Sequence, residues 1–292
     1  MKNFIITIAF TLANLAGTAQ KTESGLTVAS YNIRYNSPDD GVNVWENRKE
    51  WLSHSINFFD IDVVGAQEVT YTQLTDMQNF LPDYQSIGVG REGGKKGEYS
   101  PIFYAKDRFE VLDSSTFWLS ETPQKVASKG WDAALPRIVT WTKFKDKNSG
   151  NTFYFFNTHF DHRGKEARKN SAALIAEKIK EIAGNEPVIL TGDFNTAPDA
   201  EPHKILIDNQ LLDTFSELPA EKKYSPGYTF NSWDVEAGGN RYRIDYVFYT
   251  GEGLSPEKYQ VLDGQRGRNF ISDHFPVIVK FKWENSEASN KQ

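Results

Sequence analysis

A carboxylate and a carboxamide stand two residues apart in the stretch Leu190-Thr191-Gly192-Asp193-Phe194-Asn195. The apolar run from Pro187 to Leu190 is typical of a buried strand that ends just before them. In an extended backbone, residues two apart point to the same side, so Asp193 and Asn195 would face one site together. Sites in α/β sheets are commonly built at such strand ends. Gly, Asp and Asn also suit a purely structural Asx turn, and this stretch alone does not decide between the two interpretations.

Polar residues capable of metal or acid–base chemistry recur near the ends of five other predicted strands. They are Asn32, Glu68, Asn157 with His159, Asp245, and Asp273 with His274. A charged side chain on an apolar strand costs folding free energy unless it is paired or binds a metal. One such residue is routinely structural, whereas six strands that each carry one near an end are hard to explain by core packing. The pattern therefore predicts one shared site.

The residue types in this set favour phosphate chemistry. Carboxylate and amide oxygens suit Mg²⁺ or Mn²⁺, and the sequence has no cysteine to offer a soft ligand. An Asp–His pair supplies a general base and the group that orients it. Hydrolysis of a phosphate ester needs such a pair, a metal on the phosphoryl oxygen and donors for the developing charge. A Ser-His-Asp acyl hydrolase is disfavoured, because the sequence contains no Gly-x-Ser-x-Gly motif.

Six motifs in order carry a resemblance to a known family. They are Tyr31-Asn32-Ile33, Gln67-Glu68, Asn157-Thr158-His159, Gly192-Asp193-Phe194-Asn195, Ile244-Asp245-Tyr246-Val247 and Ser272-Asp273-His274. Together they resemble the successive motifs of the endonuclease/exonuclease/phosphatase superfamily, which includes deoxyribonuclease I, and the resemblance covers about residues 26–282. It implies an α/β fold of the deoxyribonuclease I type: a four-layer sandwich of two packed mixed β-sheets flanked by helices. It also implies in-line attack of water on phosphorus without a covalent enzyme intermediate.

The resemblance assigns metal binding to three of these residues. Glu68 is the implied principal Mg²⁺ ligand, with Asn32 beside it, and Asp273 is expected near the same ion. A magnesium or manganese ion is therefore the expected cofactor.

The resemblance assigns the remaining motif residues to the phosphate and the water. Asp245 is expected to hydrogen-bond His274 and fix its tautomer, and His274 to contact the scissile phosphate or position water. His159 is expected to donate to a phosphate oxygen, Asp193 to orient or deprotonate the attacking water, and Asn195 to hold the phosphate. Whether Asp193 or His274 is the base stays open.

Residues outside these motifs are candidate substrate contacts. The stretch from Asn157 to Gly164, with Arg168 and Ser171-Ala172 after it, looks most like the deadenylase-type branch and its bacterial secreted relatives. Within it, Asp161, His162 and Arg163 are candidate contacts, although a capped loop before the next helix explains them as well.

Two further candidates lie elsewhere in the chain. Arg137 ends an irregular, aromatic stretch that begins at Trp118, and its guanidinium fork would grip a phosphate. The alternative for Arg137 is packing on Trp131 or Trp141. Tyr104 is a candidate donor to the phosphate, with plain core packing as the alternative. His54 and His203 are interpreted as structural or surface residues.

The elements that would position these residues can be predicted from composition and periodicity. Three helices are expected, over 45–59, after Thr70 and over 165–183, the last ended by Gly184. Strands are expected at 27–33, 62–68, 84–89, 102–105, 109–113, 138–144, 152–157, 187–190, 242–249 and 277–281. Hairpin pairs with few helices between them favour two packed sheets over one doubly wound sheet. Gly90 to Gly97 is predicted to be a mobile surface loop rather than a phosphate-gripping loop, because no helix pattern follows it.

The first residues resemble a secretory signal. Lys2 precedes an apolar run from Phe4 to Leu15, and small residues at 17–19 precede a potential cleavage point at Gln20. The run is too short and mixed to span a membrane, and no cysteine is present as a lipid acceptor. We therefore expect a signal peptide over 1–19, one domain over 20–284 and a polar tail over 285–292. The expected location is periplasmic or secreted, without a membrane anchor.

Charge and composition narrow the choice of substrate. With a net charge of −6 and no evident basic stripe, the chain does not look like a polynucleotide binder. We expect a monomeric phosphoester hydrolase that acts on a small or terminal phosphoester, such as a nucleotide, sugar phosphate or inositol phosphate. The alternative is a secreted nuclease on short or single-stranded nucleic acid. A catalytically silent binding module is the third hypothesis, disfavoured because every motif residue is present.

Overall fold

The computed structural model describes residues 25–234, 242–251 and 253–284, and two β-sheets form its centre. The first sheet has seven strands in the order β10-β12-β15-β1-β2-β4-β3, and the second has six in the order β5-β6-β7-β8-β11-β9. The strands of the first sheet are β1 (Leu26–Asn32), β2 (Val63–Gln67), β3 (Tyr84–Ile87), β4 (Ile102–Ala105), β10 (Lys223–Tyr224), β12 (Leu254–Val261) and β15 (Val277–Trp283). Those of the second are β5 (Phe109–Trp118), β6 (Ile138–Asp146), β7 (Thr152–His159), β8 (Val188–Asp193), β9 (Leu212–Asp213) and β11 (Asp245–Tyr249). A small ribbon pairs β13 (Gln265–Arg266) with β14 (Asn269–Phe270).

Helices cover the outer face of each sheet. They are α1 (Trp45–Phe58), α2 (Tyr71–Phe80), α3 (Lys165–Ala183), α4 (Glu201–Asp208) and α5 (Thr214–Glu217), with short 3-10 turns at Pro38–Asn43 and Ala220–Lys222. One apolar cluster joins α1 and α2 to the first sheet, a second joins α3 and α4 to the second sheet, and a third fills the space between the sheets. The four-layer α/β sandwich expected from the sequence is therefore confirmed.

Strand direction gathers the polar strand ends at one edge of the sandwich. In the first sheet β1 and β2 run parallel and β15 runs antiparallel to β1, so the ends of β1 and β2 lie beside the start of β15. In the second sheet β7 and β8 are parallel and β11 is antiparallel to β8, and Asp193 is in register with both His159 and Asp245. Each sheet thus delivers half of the predicted site to the same edge.

The two sheets approach each other closely just beneath that edge. A Cβ built on Gly65 of β2 would lie 2.0 Å from Thr191 Oγ1 of β8. Beside it, Gln67 Nε2 donates to Asn157 Oδ1 at 2.7 Å, and Asn157 Nδ2 donates across the gap to the Ala66 carbonyl at 2.7 Å. Because these hydrogen bonds are buried and join one sheet to the other, they fix the offset between the sheets. We call Gly65, Gln67, Asn157 and Thr191 the inter-sheet seam.

Several elements differ from the sequence-based expectations. Strand β5 continues to Trp118, well beyond the expected end at Asp113, and β11 begins at Asp245 rather than Tyr242. The sequence interpretation missed β12, and it missed α4 although the apolar residues of this short helix follow a helical period. Thr70 caps α2 as expected, with its hydroxyl accepting from Gln73 N at 3.4 Å.

The sequence also predicted a signal peptide, a polar tail and the absence of a membrane anchor. The predicted signal peptide at 1–19 and the tail at 285–292 lie outside the described residues. In the described ranges, we found no helix with the length and apolar character needed to cross a membrane.

Candidate active site

Asp193, the last residue of β8, lies at the centre of the polar cluster. Its Oδ2 atom is 3.0 Å from Asn32 Nδ2, 3.5 Å from His159 Nε2 and 3.8 Å from His274 Nε2. The residue is 1% exposed. Burial, followed by repulsion from Asp245, raises the pKa of Asp193 from 3.8 to about 7. A buried carboxylate with this pKa can exchange a proton near neutral pH.

The backbone after Asp193 turns instead of continuing as a strand. Asp193 Oδ1 accepts from Asn195 N at 2.9 Å, and Asn195 has a left-handed φ of 47°. The expectation that both side chains extend from one strand face is therefore wrong. The Asx turn and the functional site, treated as alternatives in the sequence, coexist, because one carboxylate oxygen holds the turn and the other faces the cluster.

His274 and Asp245 form the expected pair. His274 Nδ1 lies 2.9 Å from Asp245 Oδ2, which leaves Nε2 directed at Asp193. Burial alone would lower the pKa of His274, but the carboxylates of Asp245 and Asp193 outweigh it and raise this pKa well above its ordinary value. The Phe230 ring packs on the imidazole, with centroids 4.9 Å apart. His274 is thus held in place between two carboxylates that favour its protonated form.

His159 and Asn195 are arranged differently from the implied roles. Asn195 Nδ2 donates to the Phe160 carbonyl at 3.1 Å, which fixes the orientation of the amide, and the same nitrogen lies 3.0 Å from His159 Nε2. Since Nδ2 can only donate, His159 Nε2 accepts and the imidazole proton is on Nδ1. Burial and nearby Arg137 lower the pKa of His159 well below its ordinary value. In this arrangement Nε2 of His159 is not a donor for phosphate.

Glu68 follows β2 in a left-handed conformation, with φ of 62°. Its Oε1 accepts from Asn32 Nδ2 at 3.2 Å, and its Oε2 accepts from the Tyr35 backbone at 3.0 Å. Asn32 Oδ1 accepts from Arg34 N at 3.0 Å, so its amide nitrogen, not its oxygen, faces the carboxylates. Asn32 therefore bridges Glu68 and Asp193 in this structure and would have to turn its amide over to ligate a metal. A left-handed conformation at a non-glycine residue is strained, which is common at functional sites.

The donor set is suitable for a divalent cation. Ligand atoms of Glu68, His159 and Asp193 lie within 4.8 Å of one another. Asp273 lies on the same side, where burial raises its pKa to about 6 despite Arg34 Nε at 3.8 Å. Carboxylates this close repel one another, and a hard cation such as Mg²⁺ or Mn²⁺ would relieve that repulsion. The oxygen-rich donors therefore fit the expected metal.

Arg137 lies at the site, as predicted, but it is held by neighbouring residues and is only 5% exposed. Its Nε lies 3.4 Å from Asp161 Oδ2, and its Nη2 lies 3.0 Å from His162 Nδ1. Because arginine has only donors, His162 accepts through Nδ1 and carries its proton on Nε2. Asp161 is 1% exposed and also accepts from the Arg163 and Gly164 backbones. Asp161 therefore orders the loop and positions Arg137 rather than contacting substrate.

The structure does not bring Arg163 or Tyr104 to the site. The Arg163 side chain is exposed and does not line the site pocket. Tyr104 packs in the core between the sheets, where its hydroxyl donates to Gln85 Oε1 at 2.7 Å. His203 is buried against Asp213 and His54 is on the surface, as expected of structural or surface residues.

Sequence reasoning missed Arg91 and Glu98, which lie at either end of the Gly90–Gly97 loop. This loop is closed by hydrogen bonds, including Glu92 N to Lys96 O at 3.1 Å and Tyr99 Oη to Gly94 O at 3.0 Å. It is thus an ordered support that places two charged side chains in the site. The signal available in the sequence was the pair of charged residues that flank a glycine-rich loop. The direction of their side chains, however, depends on the conformation of that loop.

These groups surround a pocket of about 580 Å³. Its floor is formed by Glu68, His159, Asp193, Asn195, Asp273 and His274. One side, the basic end, is formed by Arg91, Glu98, Leu135, Arg137 and His162, and the other, the aromatic end, by Arg34, Tyr35, Phe230, Ser232 and Trp233. Ser232 and Trp233 have left-handed φ of 53° and 61° and are held by bonds to the Asp273 carbonyl and Asn231. The pocket combines a metal-compatible floor with two chemically distinct ends.

Fold and site together are those of a phosphoester hydrolase, with an acid–base pair and donors suited to a divalent cation at the edge of a four-layer sandwich. Comparison with known proteins agrees. The model of the Endonuclease/Exonuclease/phosphatase family matches residues 29–274, and the chain belongs to this family. Its members are metal-dependent phosphoester hydrolases. The resemblance stated from the sequence motifs is confirmed.

Three relatives illustrate the similarity. An endonuclease/exonuclease/phosphatase structure from Bacteroides vulgatus is 40% identical, with a TM-score of 0.85 over 89% of this chain and 100% of that one. The mannosyl-6-phosphatase from Bacteroides thetaiotaomicron is 41% identical, with a TM-score of 0.81 over 88% of this chain and 100% of that one. Human Nocturnin is 23% identical over 82% of this chain, which spans 58% of Nocturnin's length.

Proposed function

We propose that the protein hydrolyses a small or terminal phosphoester with Mg²⁺ or Mn²⁺, and that a phosphomonoester such as a sugar phosphate is its substrate. The observation that carries the proposal is the arrangement of Asp193 Oδ2 beside His274 Nε2, at the floor of a pocket with Arg137 on one side. The mannosyl-6-phosphatase relative supports the choice of a sugar phosphate.

The floor residues suit the parts of such a reaction. Glu68 and Asp273, with Asn32 once its amide has turned over, would hold the cation, which would supply charge neutralisation at the phosphoryl group when bound. Water attacks phosphorus as the ester oxygen leaves, and the products are an alcohol and phosphate. The Arg137 guanidinium and His162 Nε2–H offer donors to the phosphoryl oxygens from the basic end.

The pKa directions distinguish the two candidate bases. Burial raises the pKa of Asp193 to about 7, whereas Asp245 and Asp193 overcome burial and raise that of His274 well above its ordinary value. These directions favour the protonated form of His274 and support Asp193 Oδ2, 3.8 Å from His274 Nε2, as the group that takes the proton of the attacking water. The His274 cation stabilises the charge that develops on phosphate.

A nuclease on short nucleic acid is the second candidate. Tyr35, Phe230 and Trp233 at the aromatic end offer faces on which a base can stack. A stable complex with long nucleic acid is not expected from an acidic chain, and we propose that the protein acts as a monomer without a membrane anchor. A silent binding module is the least favoured hypothesis.

The test is a substrate panel with purified protein and Mg²⁺ or Mn²⁺. It contains p-nitrophenyl phosphate, bis-p-nitrophenyl phosphate, hexose phosphates, inositol phosphates, nucleotides and short oligonucleotides. We expect hydrolysis of monoesters that EDTA abolishes and that Glu68→Gln and His274→Ala lose. Efficient cleavage of oligonucleotides with no monoester hydrolysis would reverse the order of the two candidates. Intact metal binding with no hydrolysis of any substrate would support the binding module.

A further inference from the structure

The ion pair between Arg91 and Glu98 at the basic end has features that the proposed chemistry on phosphate does not use. Arg91 Nη1 lies 2.9 Å from Glu98 Oε2, and Nη2 lies 2.8 Å from Glu98 Oε1. The backbone supports this two-point contact, because Arg91 N donates to the Glu98 carbonyl at 2.9 Å. The Trp118 indole donates to the Arg91 carbonyl at 2.7 Å. The pair is therefore fixed in direction.

The carboxylate of this pair remains accessible from the pocket. The Glu98 side chain keeps 21% of its exposure and the Arg91 side chain 10%, and both line the pocket. A second, small crevice connects them with Arg137 and His159 of the floor. A purely structural ion pair has no need to face the site, whereas these two groups form its wall beside the catalytic residues.

The chemistry of Glu98 limits what can bind there. Within the described ranges, the groups of candidate metal ligands do not include Glu98, and both of its oxygens are engaged by Arg91. Each carboxylate oxygen has two acceptor sites, so about two sites remain free after the bonds to Arg91. Because Arg91 neutralises Glu98, the pair carries no net charge with which to hold a second phosphate or carboxylate of the substrate. A neutral group with hydroxyl donors would be accepted.

We propose that Glu98 and Arg91 form a hydroxyl-binding subsite that selects phosphomonoesters of sugars or other polyols. Glu98 accepts from adjacent hydroxyls of the alcohol part, while Arg91 holds the carboxylate at the required angle and Arg137 keeps the phosphate on the floor. This assignment rests on the proposed phosphoester hydrolysis and adds to it the residues that bind the alcohol part of the substrate. A flat base would instead go to the aromatic end.

The experiment measures selectivity between two kinds of monoester, sugar phosphates and an aryl phosphate. Kinetics are compared for mannose 6-phosphate and glucose 6-phosphate, which carry hydroxyls, and p-nitrophenyl phosphate, which carries none. In the Glu98→Gln variant we expect the ratio of kcat/KM for sugar over aryl phosphate to fall about 10- to 100-fold, the range for losing hydrogen bonds to a charged group. The matched control is Glu92→Gln, an exposed carboxylate on the same loop outside the pocket lining, whose ratio should stay at the wild-type value.

A second measurement is independent of catalytic rate. Free mannose should inhibit the hydrolysis of p-nitrophenyl phosphate by the wild-type protein, and Glu98→Gln should weaken that inhibition by a similar factor. An unchanged selectivity ratio, or a parallel loss on both monoesters with unchanged inhibition, overturns the subsite while the proposed hydrolysis stands. A wild-type protein that cleaves no monoester overturns the proposed function and the subsite together.

Discussion

The floor and the basic end of the pocket are built in opposite ways. Floor residues such as Asp193 and His159 sit at strand ends, in register with one another across β7 and β8. Residues of the basic end, such as Glu98 and Arg137, come from irregular segments and are held by side-chain contacts. We infer a division between the two regions: strand pairing positions the reacting groups, and the loops determine which substrate binds.

The division predicts that a change in the floor has the largest effect. Asp193→Asn keeps the shape but removes the carboxylate proposed to take the proton of water, so kcat should fall by about 10³-fold. Steady-state kinetics on p-nitrophenyl phosphate with saturating Mg²⁺ measures the effect. Circular dichroism checks that the variant is folded. If the variant retained a kcat close to that of the wild type, the proposed base would be wrong.

The basic end should give a smaller loss. Arg137→Lys keeps the positive charge but loses the planar fork, and we expect kcat/KM to fall about 10-fold to 100-fold. Asp161→Asn should give a milder change in the same direction, because it acts only by positioning Arg137. Kinetics of both variants on one monoester tests this order. A larger loss for Asp161→Asn than for Arg137→Lys would contradict the positioning role.

Protein stability provides a third test, because the buried Asp193 carboxylate is expected to destabilise the folded protein when it is ionised. The pKa of Asp193 is raised in the folded state, from 3.8 to about 7, so its stabilising contribution is complete below pH 4 and lost as pH rises through about 7. Metal-free Asp193→Asn should therefore melt higher than the wild type at pH 8, by at least about 2–4 °C, with little difference at pH 4.

Differential scanning fluorimetry with EDTA at both pH values measures this difference. The comparison between variants cancels the opposing contributions of His159 and His162, whose pKa values are lowered by burial. A difference in melting temperature that does not change with pH would show that the Asp193 carboxylate is not destabilised by the site. The variant would then combine lower activity with no gain in stability.

Residues outside both regions should have the smallest effects. Arg163→Ala and Tyr104→Phe should leave kcat/KM within about 2-fold of wild type, since neither side chain lines the pocket. Tyr104→Phe loses its bond to Gln85 and should reduce the free energy of unfolding by about 1 kcal/mol. Kinetics and urea denaturation measure the two quantities. A 10-fold loss of activity in Arg163→Ala would extend the substrate site beyond the pocket described here.

The same division explains how much the sequence predicted. Glu68, Asp245 and His274 were found because buried strands are recognisable from composition, and strand ends follow from them. Ordinary secondary-structure patterns also predicted two packed sheets, and the resemblance to the family supplied the four-layer arrangement. An Asx turn was one of two interpretations of the stretch from Asp193 to Asn195. The sequence could not decide between them, because the left-handed φ of Asn195 depends on the bond from its backbone to the Asp193 side chain.

Most residues of the basic end could not be predicted from the sequence. Arg137 was selected for the irregular stretch that it ends, but its contacts with Asp161 and His162 join parts of the chain 24 and 25 residues apart. Arg91 and Glu98 were passed over because a glycine-rich segment has no periodicity from which to predict the direction of a side chain. Such directions are decided by tertiary contacts such as the bond from Trp118 to the Arg91 carbonyl.

The inter-sheet seam means that neither sheet carries a complete reaction centre. Glu68 directly follows β2 of the first sheet, and Asp193 ends β8 of the second. The close contact at Gly65 leaves no room for even a methyl group between the two sheets. Activity therefore requires that the two sheets stay docked in register. A small shift of one sheet against the other would abolish activity before either sheet unfolds.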